Sequence, residues 1–485
     1  MTELVLPQID WTPFAPLAPV AVGGLMTLTV DLFLPPGRKQ FIAILSLIAL
    51  AASILLSINS WGTVRYGIHD AVVLDRFSLF FYLVLGLIGI LTILLSMSYL
   101  DTAVADQGEY YTLVLFSVLG MMLMAAGGDL IVIFLGLETF SLALYTLAGF
   151  WKTELRSNES ALKYLLLGAF AGGFFLYGIA LIYGATGTTV LRQIPDSLAD
   201  GHPPSLLFLI GGGLLLVGFG FKIASVPFHM WVPDVYEGAP TSVTAFMIAG
   251  TKAAAFAAFL RVFLLALPAL HMRWSAAIWV LAVLTMTVGN LVALVQSNIK
   301  RMLAYSSIAH AGYLLVALVA GGSSGVGSIL FYLVAYALMN LGAFAVIIAV
   351  QGSEQERPLL ADYAGLGWQR PMLAVCMALF MFSLAGIPPT AGFMGKLYIF
   401  SAALESDYPG LAIIGVLNSV VSVYYYLRIV VIMYMSETPS PPPRIPASAA
   451  AVLAVLVSVL GTLHLGLFPA RLLDLARQSV SAIIG

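Results

Sequence analysis

The sequence predicts an all-α polytopic membrane protein, and three observations carry that prediction. Of 485 residues, 61% are hydrophobic and only 9% are charged, whereas an ordinary soluble domain is about 25% charged. Apolar runs of about 20 residues, each long enough to cross a hydrocarbon core of about 30 Å, recur along the whole chain. Runs such as Phe80 to Leu95 do not alternate in polarity, which sets aside a transmembrane β-barrel with its alternating segments of about 10 residues.

Counting the apolar stretches between charged or turn-rich breaks gives about fourteen spans. They start near Phe14, Phe41, Phe77, Tyr110, Leu130, Ser160, Ser205, Thr241, Ala276, Ile299, Gly327, Pro371, Gly410 and Ala449. The joints between them are too short for a soluble domain, and Pro439 to Pro446 reads as an extended linker before the last helix. The first basic residue, Arg38, lies beyond the first apolar run. A cleavable signal peptide would carry positive charge before that run, so the first helix is expected to stay in the mature chain. An even number of spans puts both termini on one side. Arg38, Lys39, Lys152, Arg156, Lys300, Arg301, Arg357, Arg370, Arg428 and Arg444 then fall on the other side, against seven arginines with the termini. The small excess favours termini on the outer side.

The function classes excluded are equally informative. A net charge of −2 without a long basic block gives no footprint for nucleic acid. The single cysteine, Cys376, forms no internal disulfide and cannot supply the thiolates of an iron–sulfur cluster. Gly211-Gly-Gly-Leu-Leu-Leu-Val-Gly-Phe-Gly follows no strand and lies in an apolar span, so it reads as helix packing and not as a nucleotide-binding loop. There is no HExxH or CxxC motif.

Charges inside the apolar spans mark the candidate site. Of seven lysines, Lys163, Lys222, Lys252 and Lys396 lie inside or at the edge of spans, while no arginine is expected comparably deep. An ionisable group at the bilayer centre costs roughly 2.5 to 3.5 kcal/mol and by default marks an ion or proton path. Lysine suits proton transfer because, once buried, it can give up its proton, as arginine cannot. At least one of Lys222, Lys252 and Lys396 is expected to be neutral at rest. Lys163 lies near the start of its span and four residues after Glu159, so an (i, i+4) pair or a snorkelling side chain is open there. Glu138 is the clearly central carboxylate, with Lys163 or Lys222 as its partner. His229 and His310 could extend a relay or simply pack. Asp234, with Tyr236 and Glu237, falls in a turn-rich stretch read as a membrane-surface loop, where it guides protons or caps the loop.

A faint repeat runs through this pattern. Ser160-Ala-Leu-Lys-Tyr-Leu and Ser328-Ile-Leu-Phe-Tyr-Leu open spans 168 residues apart. Ser225-Val-Pro-Phe-His in the first half and Gly386-Ile-Pro-Pro-Thr-Ala-Gly in the second interrupt their spans at corresponding places, the pattern of discontinuous transporter helices.

The segment Gly220-Phe-Lys-Ile-Ala-Ser-Val-Pro-Phe-His-Met-Trp-Val-Pro-Asp-Val-Tyr-Glu-Gly-Ala-Pro-Thr, followed by Gly250-Thr-Lys, resembles the antiporter-like membrane subunits of bacterial complex I, the N-type branch above all. The motifs at Leu137, Ser160, Ser297, Leu384 and Tyr424 match in the same order, so the resemblance covers nearly the whole chain. Multisubunit sodium/proton antiporters and membrane-bound hydrogenases share the Pro-Phe-His-x-Trp-x-Pro-Asp core and form the alternative reading. The resemblance implies fourteen helices with two inverted five-helix repeats and broken helices 7 and 12. Laid on this chain, that organisation is a three-helix segment 1–108, repeats 109–273 and 274–436, and a linker with the last helix at 437–485. It implies a proton relay through Glu138, Lys163, Lys222, Lys252 and Lys396, in the inner membrane of a bacterium. It further implies no cofactor in this chain, with NADH, FMN, iron–sulfur clusters and quinone held by partner subunits, and membrane subunits A, H, J, K, L and M as neighbours.

Overall fold

In a lipid interior every backbone polar group must be satisfied within the chain, so the apolar runs close their own hydrogen bonds as helices. The structure is a computed structural model describing residues 10–35, 40–100, 108–197, 204–351, 357–437 and 448–484, without the side chains of 98–100. Arg38, Lys39, Arg444 and the Pro439 to Pro446 stretch lie outside these residues.

The helices are α1 (Ala18–Asp31), α2 (Gln40–Asn59), α3 (Arg76–Leu100), α4 (Glu109–Ala126), α5 (Leu130–Ala148) and α6 (Leu155–Thr186). They continue as α7a (Leu206–Ile223), α7b (Trp231–Gly238), α8 (Thr241–Ala266), α9 (His271–Leu294), α10 (Ile299–Ala320) and α11 (Gly322–Val350). Last come α12a (Pro371–Ala385), α12b (Ala391–Glu405), α13 (Pro409–Met435), α14 (Ala449–Leu467) and α15 (Ala470–Ile484). Among the described residues twelve helices are long and apolar enough to cross a membrane, and α1 and α12a are shorter apolar helices. Together these account for the fourteen expected spans. Helices α3, α8, α10 and α11 are largely enclosed, whereas α2, α6, α9, α13 and α14 turn apolar faces outward.

Two features add to the all-α expectation. The joint after α2 folds into an antiparallel hairpin, β1 (Arg65–Gly67) with β2 (Val72–Leu74). Its strands are too short to show a period in sequence. Its tip, Ile68, His69 and Asp70, has φ of 49°, 54° and 66°, an unusual run of left-handed residues without glycine. Beyond α14, α15 is amphipathic: Leu473, Ala476, Val480 and Ile483 are buried, while Arg471, Asp474 and Arg477 are exposed.

Both Pro-interrupted segments are breaks. Helix α7a stops at Ala224 in the left-handed region (φ 65°), where Ser225 N donates to Gly220 O at 2.8 Å. Helix α12a stops at Gly386 (φ 90°), where Ile387 N donates to Phe382 O at 3.0 Å. These closures satisfy end carbonyls, and the prolines that follow cannot continue a helix. The stretch around Asp234, expected as a surface loop, is instead the helix α7b. Pro233 and Asp234 stand in its first turn, where both residue types are favoured, so helix-start residues imitate turn residues there.

A second pair of matching features joins loop to loop. Asp129 bridges Val190 just before α5, and Asn298 bridges Leu359 just before α10. Asp129 to Asn298 and Val190 to Leu359 are the same step along the chain, 169 residues. Each bridge closes with two backbone hydrogen bonds, at 2.9 Å in the first case and 2.8 Å in the second. The side chains of Asp129 and Asn298 cap the helices they precede. Helix α10 is the fifth span after α5, and a chain that reverses at each span carries it in the opposite direction.

One expectation fails. An arginine is as enclosed as the lysines: Arg261, at the end of the α-helical part of α8, is 2% exposed. Its guanidinium donates to both carboxylate oxygens of Asp75 at 3.0 Å and to Ala125 O at 3.1 Å, and it lies 5.0 Å from the Phe77 ring centroid. Asp75, itself buried, also accepts from Ser78 N at 2.7 Å at the start of α3. The pair ties the N-terminal helices to α8, and neither partner announces it in sequence because each stands at a span boundary.

Candidate functional site

Lys222, Lys252 and Lys396 occupy three buried sockets, at 3%, 2% and 4% exposure. In each socket the hydrogen-bond partners of the amine are hydroxyls and carbonyls, with aromatic rings around it, and none is a carboxylate.

Lys222 stands in the last turn of α7a, just before the break, and donates to Ser141 Oγ at 2.7 Å. The rings of Phe140, Tyr164, Phe221 and Tyr145 surround its Nζ at 5.2 to 5.9 Å from their centroids. Trp231, the first residue of α7b, stacks between Tyr164 and Phe221 and donates to Phe221 O at 3.0 Å, which ties the two sides of the break together. Glu138, half-buried on α5 three residues before Ser141, lies close enough for its charge to interact with that of Lys222.

Lys252 follows a π-helical turn, Met247–Thr251, inside α8. Such turns reorient the side chains beyond them and cluster at functional sites. Its Nζ donates to the carbonyl and, at 2.6 Å, the hydroxyl of Ser307 on α10, with the Tyr336 ring at 5.1 Å.

Lys396 on α12b reaches back across the break to the end of α12a. It donates to Leu384 O at 3.0 Å, Ala385 O at 2.9 Å and Ser419 Oγ at 2.9 Å, above the Tyr313 ring. Helix-end carbonyls have no partner within the helix and carry partial negative charge, so a cation belongs there. Gly386 is required twice, for its φ of 90° and because a Cβ would lie 3.0 Å from Lys396 Cδ. Gly386→Ala is therefore expected to lower stability by at least about 1 kcal/mol, the cost of a left-handed L-residue, read as a lower melting temperature.

Lys163 lies elsewhere. Its side chain is 39% exposed and pairs at 2.7 Å with both Glu159 and Asp234. Thus the (i, i+4) pairing open to it in sequence is formed, and Glu138 is not among these ion-pair partners. Asp234 bridges onward to Arg301 on α10 at 2.8 Å, and Arg301 to Glu237 at 2.8 Å. Burial works against ionisation of Asp234, but hydrogen bonds from Lys163 and Arg301 outweigh it and hold its carboxyl below the usual carboxylate range. His229 lies half-buried between the break and α7b.

His310, 1% exposed on α10, is held by two hydroxyls that sequence reasoning passed over. Nδ1 is 2.5 Å from Tyr332 Oη and Nε2 is 2.8 Å from Tyr426 Oη. Tyr426 belongs to the Tyr424-Tyr-Tyr-Leu-Arg run, whose midspan hydroxyls were the available signal. The socket serines Ser141, Ser307 and Ser419 gave none, since serine is common in apolar helices. Among the described residues no cluster of histidine, cysteine or carboxylate side chains is arranged to hold a metal.

Two broken helices, a row of enclosed lysines and loop bridges repeated at a constant interval define a membrane protein of the antiporter-like class. The family profile described as "NADH:quinone oxidoreductase/Mrp antiporter, TM" matches residues 127–422. The chain is 51% identical over 465 residues to NADH-quinone oxidoreductase subunit N of Trichlorobacter lovleyi, covering 96% of each. It superposes on a chain of respiratory complex I from Thermus thermophilus with TM-score 0.82 and 38% identity, covering 95% of this chain and 99% of that one. A chain of the Mrp complex from a Dietzia species gives TM-score 0.85 at 22% identity, covering 98% and 97%, a likeness of fold alone. The chain belongs to the NADH-quinone oxidoreductase subunit N family.

Proposed function

We propose that this chain is the proton-translocating membrane subunit of a respiratory NADH:quinone oxidoreductase, working in the inner membrane of a bacterium. The observation that carries the reading is the three enclosed lysines in neutral, hydrogen-bonding sockets at or beside the breaks of α7 and α12 and the π-turn of α8. Glu138 and Lys222 serve the first repeat, Lys252 on its last helix reaches Ser307 of the second, and Lys396 serves the second, with His310 joining the last two. Lys163, Asp234 and His229 lie toward the surface and act at the mouth of the path. Division into repeats 109–273 and 274–436, after a three-helix segment 1–108 and before the closing 437–485, is supported by the paired bridges and paired breaks.

Moving one charge against 100 mV takes about 2.3 kcal/mol, and the energy comes from electron transfer in partner subunits. Those partners include the membrane subunits A, H, J, K, L and M, and NADH, FMN, iron–sulfur clusters and quinone are bound among the partner subunits. In proteoliposomes the assembled complex is expected to acidify the lumen on NADH addition without sodium, and this chain alone is expected to oxidise no NADH. Sodium-dependent, NADH-independent exchange by the assembled complex would replace this reading with that of an antiporter.

A further inference from the structure

The polar groups around His310 form an ordered series that the lysines do not explain. Ser306 Oγ and Tyr426 Oη are hydrogen-bonded, Tyr426 Oη meets His310 Nε2, and His310 Nδ1 meets Tyr332 Oη. All four side chains are 1% exposed or less, on α10, α13 and α11. At one end Ser306 neighbours Ser307, whose carbonyl and hydroxyl hold Lys252. At the other, the Tyr332 ring packs closely on the backbone beside Lys396: a Cβ built on Gly395 would fall 2.3 Å from Tyr332 Cδ2. Two buried amines thus flank an imidazole with a different phenol on each nitrogen.

A buried imidazole needs a partner on each nitrogen whatever its role; what sets this one apart is that both partners are phenol hydroxyls and one of them is linked onward to Ser306. A neutral imidazole has one donor and one acceptor nitrogen, and a phenol can donate and accept at once. We infer that Tyr426 and Tyr332 are proton-carrying residues that pass a proton through His310 between Lys252 and Lys396, an inference that rests on the relay reading above.

The step balances. At the start Nδ1 bears the imidazole proton. The Tyr426 O–H bond breaks as Nε2–H forms, and Tyr426 is re-protonated from Ser306, which is refilled from the Lys252 ammonium through water. Nδ1–H breaks as a new O–H forms on Tyr332, whose original proton leaves through water to a neutral Lys396. Lys252 ends neutral and Lys396 ends as the ammonium, every hydroxyl keeps one proton, and His310 ends as the other tautomer. The tautomer must be reset before a second proton follows, so the cluster passes protons singly.

The test uses assembled complex carrying Tyr426→Phe or Tyr332→Phe, which remove one hydroxyl and keep the ring, with Tyr398→Phe on α12b as a comparison outside the series. NADH oxidation by an artificial electron acceptor, which needs partner subunits only, normalises for assembled complex. NADH-driven pumping is expected to fall by about a hundredfold in each of the first two, the lower end of what losing a positioned acid–base group costs. The slower variants should also show a larger D2O isotope effect than the parent, because proton transfer then limits turnover. Tyr398→Phe should pump like the parent. Parental pumping in either His310-facing variant would overturn the inference, and so would a fall with an unchanged isotope effect, which marks lost packing. If the lysine variants discussed below stop pumping while both tyrosine variants work normally, the relay stands and this route through it falls.

Discussion

Lys252→Arg is expected to lower NADH-driven proton pumping by about a hundredfold or more in fully assembled complex, although the positive charge is kept. The socket explains why. Lys252 presents a compact ammonium to the carbonyl and hydroxyl of one residue, Ser307, under the Tyr336 ring. A planar guanidinium demands more acceptors in a wider fork, and it stays protonated at any accessible pH. It can neither fit that space nor release a proton from it. The same reasoning covers Lys222→Arg, which has the single hydroxyl of Ser141 as acceptor, and Lys396→Arg, which must reach two helix-end carbonyls. The measurement is pumping per NADH-oxidising complex, with subunit content checked by gel. Normal pumping in all three would mean that only fixed positive charge matters, and the lysine relay would have to be abandoned.

The largest loss of stability is expected at the opposite kind of charge, the one built not to move. Removing Arg261 leaves Asp75 buried and unpaired, and breaking a buried pair from one side typically costs about 3 to 5 kcal/mol. Arg261→Ala should therefore show as loss of this subunit from complex extracted in detergent, or as a lowered melting temperature. Replacing both partners with apolar residues should recover much of the loss, because a buried ion pair often contributes little net stability over well-packed apolar side chains. If Arg261→Ala behaves like a surface substitution, the pair is not the tie between the N-terminal helices and α8 described above.

Much of this was legible in the sequence because a bilayer simplifies the problem. The starts of α3, α4, α5, α8, α10 and α12a fall on or within a residue of the expected positions, since hydropathy and backbone satisfaction point the same way. Both breaks could be read from proline and glycine inside apolar runs. What escaped depended on depth and partners, which hydropathy does not carry. Glu159 four residues before Lys163 left its ion pair legible, but that Asp234 and Arg301 join it in an exposed cluster while Lys252 is enclosed was not, because α6 turns its first turns outward and α8 is surrounded. Arg261 was misjudged because a residue at a span boundary reads as interfacial, although the hairpin and α3 cover it. The hairpin itself is held by contacts from other segments, such as Gly128 N to Ala71 O at 2.9 Å, and so leaves no local pattern.

The seat of Lys396 turns a chemical state into a mechanical one. A lysine ammonium has three N–H donors and no acceptor, and here all three have counterparts: the carbonyls of Leu384 and Ala385 and the hydroxyl of Ser419. A neutral amine has two N–H bonds and a lone pair, so on losing its proton Lys396 keeps both carbonyls and Ser419 only if that hydroxyl turns round and donates to the lone pair. Ser419 on α13 must then give up its long 3.5 Å contact with Ala385 O. Two neighbouring spans thus share a clasp whose polarity follows the charge on one nitrogen, and each proton that passes turns the hydroxyl between them over and back.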